Sequence, residues 1–479
     1  MIQSFIFKSE NNNLYIYDDQ SRLSILIHPE LEKVYNELTD SDPYYLKKYE
    51  YLKSHGFFEK SKLVDFRMLE ASMIKDNIVN TQQIVFEVTD SCNLKCTYCA
   101  LGELYEGFDE RNGKKINTRY AINLLKYIFN LKPKNTNNKM FISFYGGEAL
   151  LNMNFIKKIV KAVDVLNAEK GIQIQYSMTT NATLLHKYID FLVVNNFVLL
   201  ISLDGNEKNN SYRVFAKNKE NSFQNIVDNL DMIKRDYPDY FYTHINFNSV
   251  LHDRNSIKEI YEFIFMRYNI IPRISELNLR NVKLENRAIV ERMYNNKRKN
   301  EDVFQKERSD LLNIIHSELS SYKELINFLK YQSINCYMSN INSLLPADRK
   351  QLPTGTCTPF SKKIFLTNQN RLLPCEKISY KYSMGKVSEK IEINITEIAK
   401  QYNLYYEHIK KICQTCYAYR FCGACLLQME NIEDIGTKEF MCKRYKDLNS
   451  FKMTLRHIFS FLEMYPDDFS EILENVTLE

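Results

Sequence analysis

The sequence predicts an α/β fold whose core is a run of parallel strands joined by right-handed helical crossovers. Three observations predict it. Six apolar stretches read as strands, at 84–89, 141–145, 173–179, 198–203, 243–250 and 275–282. Between them lie stretches whose apolar residues recur at helical spacing. Cysteines and polar motifs fall just after the strands, where the active sites of such folds gather. Six units fit a partial (β/α)6 barrel of the TIM type, and a doubly wound open sheet gives the same alternation.

The chain begins with a cysteine-free segment, 1–80. Leu14–Tyr17 and Leu23–Ile27 read as two strands around a polar turn, followed by a helix from Glu30 to Leu38 and a helical stretch through Leu46, Tyr49 and Leu52 that stops at Gly56. Two strands and short helices make a small module, which reads on its own as an N-terminal cap on the barrel. The barrel occupies 81–283. Its helices bury one face each: Ala121, Ile122, Leu125, Ile128 and Phe129 in the first, Phe155, Ile156, Ile159, Val163 and Leu166 in the second, Leu185, Ile189, Leu192 and Val193 in the third. A fourth helix covers 222–235 and a fifth 256–268. Residues 284–349 form a charged linker with helical periodicity around Leu311, Ile315 and Leu319, which reads as a largely exposed helical insertion. A cysteine-rich domain spans 350–450, and 451–479 read as a helical tail.

The first strand leads into Thr89-Asp90-Ser91-Cys92-Asn93-Leu94-Lys95-Cys96-Thr97-Tyr98-Cys99, with cysteines spaced C-x3-C-x2-C. Three thiolates this close hold three irons of a [4Fe–4S] cube and leave the fourth open. A closed zinc site needs a fourth Cys or His nearby, and the next is His186. The remaining cysteines are Cys336, Cys357, Cys375, Cys413, Cys416, Cys422, Cys425 and Cys442. No signal peptide opens the sequence and no stretch of about 18 apolar residues spans a membrane, so a cytoplasmic protein is expected. There, eleven cysteines read as metal ligands rather than disulfides. The net charge of +5 is mild and gives only weak licence for a nucleic-acid partner, so a solvated surface and no nucleic acid are expected.

The triad, with an aromatic residue before its last cysteine (Tyr98), resembles the signature of the radical S-adenosylmethionine (radical SAM) enzymes. The resemblance implies the partial barrel. It also implies that SAM chelates the open iron and is cleaved to a 5′-deoxyadenosyl radical that abstracts hydrogen from a substrate. Tyr145-Gly146-Gly147-Glu148 resembles the family segment that holds the amino group of SAM, and the two glycines suit close approach of backbone to a ligand. Thr180-Asn181-Ala182-Thr183 resembles a family segment with Gly in place of Ala182, which argues against a positive φ there. Ser202 and Arg213 match positions that contact SAM's ribose and carboxylate; Phe247–Leu251, ending the fifth strand, either line the adenosine pocket or face the core as any buried strand does. The implied cofactor contacts are therefore Tyr98, Gly146, Gly147, Glu148, Asn181, Ser202 and Arg213.

The run Cys413-x2-Cys416-x5-Cys422-x2-Cys425 with Cys442, together with Gly355-Thr356-Cys357 and Pro374-Cys375-Glu376, resembles a SPASM domain with two auxiliary Fe–S clusters. The resemblance assigns Cys413, Cys416, Cys422 and Cys442 to one, and Cys357, Cys375 and Cys425 to the other. The last spacing is x2 where the family has x3, and a cysteine shortly after Cys357 is missing. The second set therefore has an open iron or recruits Cys336. The implied function is a maturase of a ribosomally made peptide that installs a thioether or carbon–carbon crosslink. Its partners would be a precursor with a leader, which the resemblance assigns to residues 1–80 as a small winged-helix-like module where the plain reading is a cap, and a low-potential electron donor of flavodoxin or ferredoxin type. The alternatives are an anaerobic sulfatase maturase and a non-catalytic Fe–S or zinc scaffold. Sulfatase maturases carry Asp after the cysteine matching Cys375; here Glu376 stands there as the candidate catalytic base.

Overall fold

Residues 3–19, 21, 23–38, 40–58, 63–134, 139–307, 310–329, 351–354 and 357–468 are described by a computed structural model. They fold as two compact units. One takes 70–315 and 357–399; the other takes 1–69, 316–356 and 400–479.

The second of these starts with β1 (Phe5–Lys8), β2 (Leu14–Asp18) and β3 (Leu23–Leu26), an antiparallel meander in that order. α1 (Pro29–Tyr35) and α2 (Pro43–Ser54) follow, each opened by a proline in its first turn and a side-chain cap, from His28 and Asp42. β1 was not expected from the sequence. It forms because Phe5 and Phe7 pack on the last helix of the unit.

The barrel unit opens with α3 (Ala71–Asn80), then β4 (Gln83–Glu87), α4 (Thr118–Leu131), β5 (Lys139–Tyr145), α5 (Met153–Asn167), β6 (Gln173–Thr180), α6 (Ile189–Val194), β7 (Val198–Ser202), α7 (Phe223–Asp236), α8 (Pro238–His244), β8 (Ile245–Leu251), α9 (Ile257–Tyr268) and β9 (Arg273–Glu276). β4 to β9 are parallel neighbours in sequence order. Every crossover thus steps the same way, as in a barrel. A doubly wound sheet would reverse direction partway. Among the described residues β9 stands at one end of the sheet, and β4 pairs on its other side with β10 (Ile364–Leu366), also parallel. β11 (Arg371–Leu373), β12 (Gly385–Val387) and β13 (Ile391–Glu392) extend it as antiparallel strands, giving ten in all among the described residues.

Two strand boundaries differ from expectation. The stretch before β8 is helical, because Pro238 fits the first turn of α8. β9 ends at Glu276, and the apolar residues beyond it serve a different purpose: Leu277 and partly buried Val282 pack with Tyr98, Tyr212, Val290 and Met293. The charged segment is helical, as α10 (Arg287–Met293), α11 (Lys297–Lys306) and α12 (Asp310–Ile315), but its apolar positions Val290, Met293, Phe304, Leu312 and Ile315 are buried.

In the other unit, α13 (Ser320–Phe328), α14 (Ile395–Cys413, from residue 400 onward) and α15 (Leu448–Met464) complete the fold. α15 lies against the N-terminal meander. Phe5 and Tyr17 meet Phe451 edge-on at 5.8 and 5.3 Å between centroids, and Phe459 meets Phe7 and Tyr15 at 5.3 and 4.7 Å. Tyr417, from the cysteine loop, stacks on Phe451 at 5.5 Å. Beside this cluster, Arg420 reaches buried Asp19 at 2.6 Å, and Tyr17 donates to the same carboxylate oxygen at 2.7 Å. Removing the carboxylate in Asp19→Ala would leave a guanidinium with 10% exposure facing no counter-charge. The expected cost is about 3–5 kcal/mol in urea unfolding of the full chain, and an unchanged midpoint would refute the pairing.

Candidate functional site

At the C-terminal end of β4 the chain enters the cysteine loop, which is held from three sides. From β5, Gly147 N donates to Thr89 O and Glu148 N to Ser91 O, both at 2.8 Å. From the segment after β7, Lys95 N donates to Val214 O at 2.8 Å and Thr97 N to Tyr212 O at 3.2 Å. From the end of β6, Asn181 donates to Asn93 Oδ1 at 2.9 Å and to Cys92 Sγ at 3.8 Å.

The two glycines serve this loop. A Cβ on Gly146 would stand 2.4 Å from Thr89 O, and one on Gly147 would stand 2.1 Å from Ser91 O. Their small size lets the β5 turn lie against the cysteine loop's own backbone, a close approach that the sequence placed at a ligand. Both also line the cavity above it.

The buried carboxylate of Glu148 accepts from Leu150 N at 3.1 Å, Thr180 Oγ1 at 2.8 Å and Asn181 N at 2.7 Å. Burial pushes its pKa up, against the pull of those bonds. A carboxylate has about four acceptor positions, so three are spent, two of them holding the turn after β6. That turn contains Ala182 at φ +64, so the positive φ that the missing glycine argued against is present. Ala182 N donates to Thr180 Oγ1 at 3.1 Å and Ala182 O accepts from Asn229 at 2.8 Å, bonds that oppose a strain of about 1–2 kcal/mol.

Tyr98 points into the core. Its hydroxyl donates to Asp204, a carboxylate with no exposure that also takes Arg213 bidentately (Nε and Nη2, 3.0 Å each) and accepts from Val250 N at 2.9 Å. His252 Nε2 lies 3.6 Å away. Burial alone would raise the Asp204 pKa, but the Arg213 charge overrides it and holds the carboxyl well below its usual range. Arg213, expected at SAM's carboxylate, thus has two of its nitrogens committed to protein while still lining the cavity. Asp204 and His252 were given no role in the sequence. Asp204 stood in the quoted Ser202-Leu203-Asp204-Gly205, but nothing in a nine-residue separation across a loop signals a pair with Arg213.

Above the loop lies a cavity of about 1170 Å³. Cys92, Cys96 and Cys99 line it, with Asn181, Ser202 and Arg111. Burial pushes the Cys92 thiol up to about 11 and Cys96 to about 12, so a metal that binds them displaces protons. Among the described residues no three His, Cys, Asp or Glu side chains converge on a point that would hold a single metal ion. A four-iron cube takes thiolates spread around its corners, which is the chemistry this donor set offers.

Cys375 and Glu376 lie beyond β11 in the same unit. Lys363 Nζ bonds both Glu376 oxygens at 3.2 Å. Burial opposes ionisation of Glu376, but the Lys363 charge wins and keeps its pKa below the ordinary value. In the other unit, Cys413, Cys416, Cys422 and Cys442 lie within electrostatic reach of one another, and burial raises Cys413 to about 12. Cys357 and Cys375 belong to the barrel unit and Cys425 to the other. Cys336, Gly355 and Thr356 lie outside the described residues.

Residues 86–266 match the family model for the radical SAM superfamily. The chain carries a radical SAM domain. Over 205 residues, 41% of the chain, it is 29% identical to a cysteine-type anaerobic sulfatase-maturating enzyme of Clostridium novyi, and spans 52% of that protein. Over 171 residues, 34% of the chain, it is 29% identical to the radical SAM cyclopropyl synthase TigE of Paramaledivibacter caminithermalis, spanning 34% of it. The chain thus spans about half or less of the length of these relatives. The fold resembles that of native anSMEcpe with bound AdoMet and Kp18Cys peptide, with a TM-score of 0.52 at 18% identity, covering 82% of this chain and 98% of that one. Among the described residues no helix is long and apolar enough to cross a membrane.

Two substitutions probe the geometry of the radical SAM domain. Gly147→Ala puts a methyl against backbone that cannot yield without moving the cysteine loop. Anaerobically reconstituted protein should lose the iron of one cluster and keep the rest, as read by iron content. Asp204→Asn should cost about 3–5 kcal/mol at pH 7. The folded-state pKa lies below the unfolded value of about 3.9. The stability difference should therefore be full above about pH 4 and close only as acid titrates the carboxylate; a difference that grows on acidification would contradict the pairing.

Proposed function

We propose that the chain is a radical SAM enzyme that matures a ribosomally made peptide by forming a thioether or carbon–carbon crosslink. The observation that carries this reading is the cavity with the cysteine triad in its wall. Small-molecule sites run to about 300–1,000 Å³, so about 1170 Å³ admits a SAM-sized cofactor and a segment of extended peptide together. The chemistry of the donor set fits a cluster with one open iron, which with SAM supplies an electron and a hydrogen-abstracting radical.

The chain's own residues position and exclude. Cys92, Cys96 and Cys99 hold the cluster as thiolates. Asn181 and Ser202 present polar groups to the cofactor, and Glu148 fixes Asn181 from behind. Tyr98, through Asp204, keeps the loop from shifting. Cys413, Cys416, Cys422 and Cys442, all in one unit, hold an auxiliary cluster. Among the described residues the N-terminal meander ends on β3, and an extended leader of a precursor suits such a sheet as an added strand. Reduction calls for a low-potential donor of flavodoxin or ferredoxin type.

The second reading, oxidation of a sulfatase cysteine or serine to formylglycine, draws support from the Clostridium novyi relative. It needs a base, and the carboxylate at that place has both oxygens engaged by Lys363. That favours the peptide crosslink. Co-expression with the small open reading frames beside the gene should yield a peptide whose mass changes, and Cys92→Ala/Cys96→Ala/Cys99→Ala should abolish both the change and 5′-deoxyadenosine formation. A conversion confined to a sulfatase-motif peptide would overturn the crosslinking reading in favour of the second.

A further inference from the structure

We propose that Arg111 sets the reduction potential of the cluster held by Cys92, Cys96 and Cys99. The inference rests on the cluster reading above and adds a residue that the family resemblance does not assign. Arg111 Nη2 donates to Cys99 Sγ at 3.4 Å. Its charge also acts on Cys92, and the two cysteines act on it in turn.

The contact is built into the fold. After Cys99 the chain runs out and folds back along its own path. Asn112 N donates to Asp90 Oδ2 at 3.2 Å, Asp90 N to Lys114 O at 3.2 Å and Ile116 N to Val88 O at 3.2 Å. On the other side of Arg111, Asp109 pairs with Arg371 at 3.0 Å, and Gly107 O accepts from Ser379 Oγ at 2.9 Å and Tyr380 N at 2.8 Å. Both flanks are pinned, which keeps the exposed Arg111 side chain within reach of the Cys99 sulfur. Lys95 is paired with Glu103 at 2.6 Å, and Arg213 with Asp204, although the Arg213 charge also acts on Cys96.

The physical consequence follows from charge. A [4Fe–4S] cluster on three thiolates gains one negative charge when it accepts an electron from a low-potential donor. A fixed cation at hydrogen-bond distance from a ligand sulfur stabilises the reduced form more than the oxidised one and raises the potential. No bond of Arg111 breaks, and the residue touches the reaction only through Cys99. It is a positioning and tuning residue.

The experiment is a redox titration of the full-length, anaerobically reconstituted protein, followed by paramagnetic resonance. The signal of interest is the one absent from the Cys92→Ala/Cys96→Ala/Cys99→Ala protein. Arg111→Gln removes the charge; Arg111→Lys keeps it. Expected is a fall of about tenfold in the reduced-to-oxidised ratio of Arg111→Gln at fixed potential, a shift of about 59 mV downward for one electron, with Arg111→Lys close to the parent. An unshifted Arg111→Gln with full iron would overturn the proposal. So would loss of that cluster's iron in Arg111→Gln, which would make the arginine structural, or an equal fall in Arg111→Lys, which would remove charge as the cause. If the parent shows no signal that the triple variant lacks, the cluster reading itself fails and takes this one with it.

Discussion

A single buried carboxylate holds the radical SAM domain's active end together. Asp204 has no exposure to solvent, yet it stays charged because Arg213 grips it with two parallel hydrogen bonds. Around that pair converge Tyr98 from the cysteine loop, the backbone of β8 at Val250 and the imidazole of His252. Loops leaving three different strands are thereby referred to one point. A buried charge pair of this kind adds little to net stability compared with well-packed apolar groups. What it supplies here is geometry, since each partner is short of alternatives.

The same economy of placement appears in the glycines of the β5 turn. Backbone meets backbone there, with no side chain between the cysteine loop and Glu148. The loop is thus clamped between a rigid turn and a polar network, and its thiols face the cavity because the rest of it cannot turn away.

The sequence carried much of this in readable form. β4 to β7 and the helices between them came from apolar periodicity, and the triad from its spacing. Three-residue strands such as β10 to β12 are too short to carry a period of two and escaped notice. β1 and the buried faces of α10 to α12 escaped because their partners are distant in sequence or their surroundings are charged. At the site, residue types were legible but directions were not. Tyr98 points inward, Arg213 is claimed by Asp204, and Glu376 by Lys363. Such pairings join residues by geometry that no spacing rule encodes. Arg111 lies in a stretch rich in acidic residues, and no spacing there signals its contact with Cys99.

The packing of β1 and β2 on α15 also orders events during synthesis. The aromatic face of Phe5, Phe7 and Tyr17 has its cover in Phe451 and Phe459, more than four hundred residues later. At 5–20 residues per second, roughly 20–90 s pass between the emergence of one and the other from the ribosome. Throughout that interval the barrel strands can pair among near neighbours, while the meander waits with an apolar surface bare. The meander is therefore the part of the nascent chain that most needs a chaperone, and the last helix is the event that releases it.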